Sequence, residues 1–276
     1  MRLKEPISSA ISLLKETWRE FNEDNGTLIA AAISFYMFLS IFPLLMAAVG
    51  ILGLIFGSPA AKSEDIILAI TKNYTVGTQV RELIAQVIRG GSAATGVGIL
   101  LLLWSGIKVV SVLENAMNVA FEVEEQRSFL KKRAIALLYF IIMSILFLIL
   151  VGVSGLAGYL RARGFGEWSW LSTFLSYLIP LVVISTVLTL VYKLLPNKHV
   201  KWCAALYGGA FAGVLWAVAL QVFTFYVIHF ASYNQVYGSL GAVILLMVWI
   251  NYSASVAILG AELASIVQQW DETRVH

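Results

Sequence analysis

Charge is scarce in this sequence: of 276 residues only 13% are Asp, Glu, Lys or Arg, about half the share of an ordinary soluble domain. A soluble chain of this length must cover itself with polar side chains, and this one has too few. Cysteine is almost absent. Cys203 stands alone, which excludes an intrachain disulfide and a thiolate metal cluster. The three histidines, His199, His229 and His276, lie far apart, and no HExxH or comparable ligand spacing occurs. No GxxxxGK[ST] sequence is present to cradle a nucleotide, and no length is left over for a soluble ATPase domain. Neither a metal nor a cofactor is therefore expected. The net charge of +3 is small and unevenly spread, which reads as membrane orientation and not as a nucleic-acid patch.

What fills the chain is apolar, 59% of it. A helix needs about 20 mainly apolar residues to cross the ~30 Å hydrocarbon core of a bilayer. Such stretches lie at about 27–56, 93–113, 134–160, 169–192, 202–230 and 237–267. They predict an all-α, polytopic helical membrane protein, a single membrane domain over 1–276 with six transmembrane helices plus amphipathic interfacial helices. The first apolar stretch is too long for the core of a signal peptide, so insertion is expected to use the first span itself. Of the 19 Lys and Arg, 12 fall in connections on the N-terminal side of the membrane and 6 on the other, with Lys108 inside a span. The positive-inside rule then puts both termini in the cytoplasm.

Two segments are amphipathic. In residues 1–26, Ile7, Ile11, Leu14, Trp18 and Phe21 recur at helical spacing and form one stripe. A cytoplasmic helix lying on the membrane surface or against the bundle is the preferred reading, with partner docking as the alternative. In 58–92, Lys62, Glu64, Asp65, Lys72, Arg81, Glu82 and Arg89 interrupt the apolar run. Val80, Leu83, Ile84, Val87 and Ile88 still share a face, as expected of an extracytoplasmic amphipathic segment.

Polar groups inside the spans are the best pointers to function, because each is costly in hydrocarbon. Lys108, Ser111, Asn115 and Asn118 share one face of the second span and its inner extension. Asn251, Ser255 and Glu262 share a face of the sixth. Lys108 and Glu262 lie at similar depth, about 7.5 Å from the inner ends of their spans, so a buried ion pair is sterically open to them. Structural roles compete: Lys108 snorkelling to headgroups, Glu262 at a wet interface, Asn251 in an interhelical hydrogen bond. The candidate substrate or coupling residues are Glu262, Asn251, Lys108, Asn115 and Asn118. Pro43 and Pro180 each remove a backbone hydrogen bond in mid-span and predict kinks. Gly209 and Gly213 form a GxxxG that predicts close packing and permits a homo-oligomer. Gly238 and Gly241 open the sixth span, where a transporter helix can unwind or flex.

These segments resemble the YihY/BrkB family of bacterial inner-membrane proteins over nearly the whole chain. The likeness is carried by Ala30-Ala31-Ala32-Ile33-Ser34-Phe35-Tyr36, Ser40-Ile41-Phe42-Pro43-Leu44, Leu103-Trp104-Ser105, Asn115-Ala116-Met117-Asn118 and Tyr192-Lys193-Leu194-Leu195-Pro196. Tyr237-Gly238-Ser239-Leu240-Gly241, Trp249-Ile250-Asn251-Tyr252 and Leu259-Gly260-Ala261-Glu262-Leu263 complete it. The resemblance implies six inner-membrane spans with cytoplasmic termini, in agreement with the charge count. Members have carried a ribonuclease label and have been linked to virulence or to export of lipids and solutes. Lys108 departs from the pattern, which has a small or polar residue there.

A nuclease needs carboxylates clustered on a metal, or an acid–base pair, in a wet pocket. Glu114, Glu122, Glu124 and Glu125 are followed directly by Arg127, Lys131, Lys132 and Arg133, which reads as a solvated, charge-balanced stretch. Enzyme activity is therefore not expected. The expected function is translocation of a lipid, a lipid-linked molecule or a small polar or anionic solute, without an ATPase of its own. A scaffold that recruits envelope proteins is the alternative. Membrane lipids are the expected partners, and nucleic acid is not.

Overall fold

The computed structural model describes residues 10–56, 91–123, 169–230 and 239–274. No strand occurs among them. The helices are α1 (Ala10–Glu23), α2 (Gly26–Phe56), α3 (Gly91–Ala120), α4 (Ser169–Leu194), α5 (Trp202–Phe230) and α6 (Ser239–Arg274). The stretches expected at 58–92 and 134–160 lie outside the described residues. α3 runs past the apolar end expected at Leu113, and α6 continues through Gln268–Arg274. Polar residues such as Glu, Gln and Arg are good helix formers, so a helix need not stop where its apolar run does. Trp202–Val227 and Val243–Thr273 are long and apolar enough to cross a membrane. α1 with Gly26–Ile41, bent by 66°, makes a third if the pair counts as one span. α2 and α4 both continue through their prolines, Pro43 and Pro180.

The chain divides into two compact units: Met1–Ile33, Val110–Ala231 and Val248–His276 form the first, Ser34–Val109 and Ser232–Met247 the second. In the first, α5 turns small residues inward. Ala204, Ala205, Gly208, Gly209, Ala212 and Gly213 are buried, whereas Leu206, Val214, Val218, Val222 and Phe225 face out. A helix in a soluble core does the reverse. In lipid, hydrocarbon outside a helix is no penalty, and small residues let backbones approach. A Cβ on Gly208 would strike the Gly260 carbonyl and come within 2.7 Å of the Ala264 methyl. One on Gly260 would lie 2.6 Å from the Ala212 Cβ. On the neighbouring face, Gly209 and Gly213 lie against Ser185 and Thr189 of α4, so the GxxxG is used within the chain.

Polar contacts then fix the register. The fully buried Tyr192 of α4 donates its hydroxyl hydrogen to the Ala257 carbonyl of α6 at 2.7 Å, and Trp216 Nε1 of α5 donates to Ser253 Oγ at 3.1 Å. The α4–α5 connection is clamped by Gln268. Its Oε1 accepts from the Lys201 amide and its Nε2 donates to the His199 carbonyl, each at 3.0 Å. In the second unit, Ser34, Pro43, Ser105, Gly106 and Gly241 are buried, while Phe35, Leu100, Trp104 and Ile244 are exposed. Gly238 lies outside the described residues.

α1 does not lay its apolar stripe on the bundle. Ile11, Leu14 and Trp18 are exposed, and among the described residues of that stripe only Phe21 is buried, beside Thr17. The turn that follows α1 passes through Asn25, whose φ of 55° is left-handed and is tolerated because an Asn side chain can bond its own backbone. The Asn25 carbonyl accepts from the Leu28 amide at 2.9 Å and starts α2.

Candidate functional site

The polar face of α1 turns instead into a cleft of the first unit. Glu16, Arg19 and Glu20 share that face at helical spacing, with Asp24 following in the turn, and all four line the cleft. α3 ends at the same place and contributes Ala120 and Glu122. α6 contributes Glu262, Ser265, Ile266 and Gln269, again three, four and seven residues along one face. The cleft encloses about 350 Å³, part of it open to solvent. The space in which a water can be centred is about 10 Å³, room for roughly one molecule.

Its charge is lopsided. Five carboxylates line it against a single guanidinium, and Arg19 is already engaged along α1. It pairs with Glu16, with Glu20 at 2.6 Å and with Glu23 at 3.3 Å. Glu262 is the unusual member: 2% exposed, in no ion pair among the described residues, and with Oε1 lacking any hydrogen-bond partner. Burying such a group without a partner is among the most costly things a fold can do. Asp24 is affected as well. Burial pushes its carboxyl up to about 6, and the negative charges of Glu20, Glu122 and Glu23 add to the shift.

Glu122 occupies its place under strain. α3 closes with the Val123 amide donating to the Asn118 carbonyl at 2.9 Å, a capping pattern that usually puts glycine in the left-handed position. Here that residue is Glu122, with φ of 50°, at a cost of about 1–2 kcal/mol. No three His, Cys, Asp or Glu side chains among the described residues are arranged to hold a metal ion.

Of the candidate substrate or coupling residues, only Glu262 lines this cleft. Lys108 is exposed and belongs to the second unit. Asn118 ties α3 to the α4–α5 connection, its Oδ1 accepting from the Asn197 amide at 2.8 Å. Asn115 is exposed, and Asn251 is half-buried with its carbonyl accepting from Ser255 Oγ at 3.0 Å. Glu114, read from the sequence as solvated, is fully buried. Glu16, Glu20, Asp24 and Glu122 were not anticipated as one group. Glu20, Asp24 and Glu122 sit at or just past helix ends and Glu16 on the polar face of an amphipathic helix, places where charge is ordinary, and only the fold brings them together.

All described elements are helices, α5 turns its large apolar side chains outward, and a carboxylate is buried within the apolar run of α6. Those features define a helical membrane protein. A sequence profile of the family described as "Virulence factor BrkB" matches residues 17–276, and the chain belongs to that family. It is 26% identical over 264 residues to a UPF0761 membrane protein of Tolumonas auensis, covering 93% of this chain and 85% of that one. It is 28% identical over 262 residues to a UPF0761 membrane protein of Haemophilus influenzae, covering 92% and 94%. Over 273 residues it is 28% identical to a protein of Bacillus subtilis named as ribonuclease-like, YfkH, covering 94% and 96%. No solved structure matches.

Proposed function

We propose that the protein is a six-span translocator of the bacterial inner membrane, with cytoplasmic termini, which moves a lipid, a lipid-linked molecule or a small polar solute without an ATPase of its own. One observation carries the reading: the buried, unpartnered carboxylate of Glu262, on a membrane-crossing helix, lining a cleft open to solvent. Ionisable groups in membrane helices that line an aqueous opening mark substrate or ion pathways. A carboxylate kept only for packing would be expected to have a partner. The cleft repels anions, so neutral, zwitterionic or cationic substrates suit it, and an anionic solute does not. The same repulsion disfavours a nucleic-acid substrate and a nuclease role.

A scaffold remains the second reading, favoured by the outward stripe of Ile11, Leu14 and Trp18, which an envelope partner or the lipid surface can cover. Purified protein in liposomes containing a fluorescent lipid separates the two. Translocation is expected to expose the inner-leaflet label to an external quencher faster than in protein-free vesicles. Vesicles indistinguishable from that control, for both labelled lipids and small solutes under an imposed ion gradient, would leave the scaffold.

A further inference from the structure

The acidic cleft is short of positive charge. Glu20, Asp24 and Glu122 stand around Glu262, while Arg19 is held by Glu16, Glu20 and Glu23. Glu262 Oε1 is buried without a donor. Neutral residues share the wall: Ser265 and Gln269 line it with Glu262, and a hydroxyl and an amide carry acceptor oxygens. The room, about one water molecule, limits what fits.

We infer that this cleft binds a compact monovalent cationic group, an alkali ion or a primary ammonium, held on Glu262. Ser265 and Gln269 complete its shell, and Glu20, Asp24 and Glu122 gather cations at the mouth. A hard monocation accepts one carboxylate with neutral oxygens. A chelated divalent ion asks for several converging carboxylates, which the described residues do not arrange. The inference rests on the cleft being the working site of the proposed translocator, and it names what that site holds.

The test is the thermal-unfolding midpoint of the purified full-length protein in detergent, at constant ionic strength. Sodium, potassium, ethylammonium and calcium chlorides are titrated against N-methylglucamine chloride, whose cation is too large for the cleft. A saturable rise in midpoint is expected for sodium or potassium, or for ethylammonium, and the arm that responds identifies the source. Glu262→Gln is expected to fold at least as well as wild type in N-methylglucamine, since it removes a buried uncompensated charge, and to lose the saturable rise. Glu122→Gln, at the exposed rim, raises the half-saturating concentration roughly two- to fivefold and serves if Glu262→Gln fails to fold. No saturable rise beyond N-methylglucamine, a rise with calcium alone, or an unchanged response in Glu262→Gln overturns the inference. Saturable binding by a protein that moves no substrate leaves the inference standing and overturns translocation. Flux that needs Glu262 but shows no cation response does the reverse.

Discussion

Asp24 shows how one side chain reports on its surroundings. It lies in the turn between α1 and α2, half-buried, and its carboxyl is moved from an ordinary 3.8 to about 6, chiefly by burial. A folded state that holds the proton more tightly than the unfolded chain is favoured by acid. The stabilisation from this group is complete below about pH 4 and is lost as the pH rises through about 6. Wild type is therefore expected to lose part of its midpoint between pH 5 and pH 7.5, and Asp24→Asn to flatten that part of the profile. An unchanged profile would mean that Asp24 is hydrated like any surface carboxylate. Tyr192 is the contrasting case, a buried polar group whose partner is present. Tyr192→Phe removes one hydrogen bond to Ala257 and is expected to cost about 1 kcal/mol, read as a small drop in midpoint with the fold intact.

At the scale of helices, the α5–α6 crossing depends on Gly208 and Gly260, and the α4–α5 crossing on Gly209 and Gly213. Gly260→Ala sets a methyl against Ala212 and Tyr192, and such overpacking costs about 1–3 kcal/mol. Denaturation in detergent is expected to show a loss of that order, larger than for Ala substitutions on the exposed face of α5. An equal loss at both places would mean that the helices do not meet as closely as described. The helices themselves were legible in the sequence: α5 begins at Trp202, the expected start. Hydropathy marks what is apolar, and length does the rest. The crossing was legible only in part. Gly209-x-x-x-Gly213 announces close packing, whereas Gly208 and Gly260 are single glycines, and nothing local says that they meet. α1 was readable as an amphipathic helix but not in its direction. A 3.6-residue period is the same whether the apolar or the polar stripe faces the protein, and here the polar stripe does.

For the molecule as a whole, the membrane setting explains why the surface is apolar and the cleft acidic. Out-facing Leu, Val and Phe on α5 suit lipid, and five carboxylates gather around the cleft. Glu262 could be singled out because a carboxylate within an apolar run is conspicuous. Its surroundings could not, because Asp24 and Glu122 come from distant segments and are joined only when α1, α3 and α6 converge. The central claim is that Glu262 works in the cleft and is not part of the packing. The most direct test compares Glu262→Gln with Tyr192→Phe in the same liposome flux measurement, at equal amounts of folded protein. The account requires Glu262→Gln to abolish flux while keeping its fold, and Tyr192→Phe to keep its flux despite a lower midpoint. Flux at the wild-type rate in Glu262→Gln, or flux that merely follows stability in both variants, would contradict it.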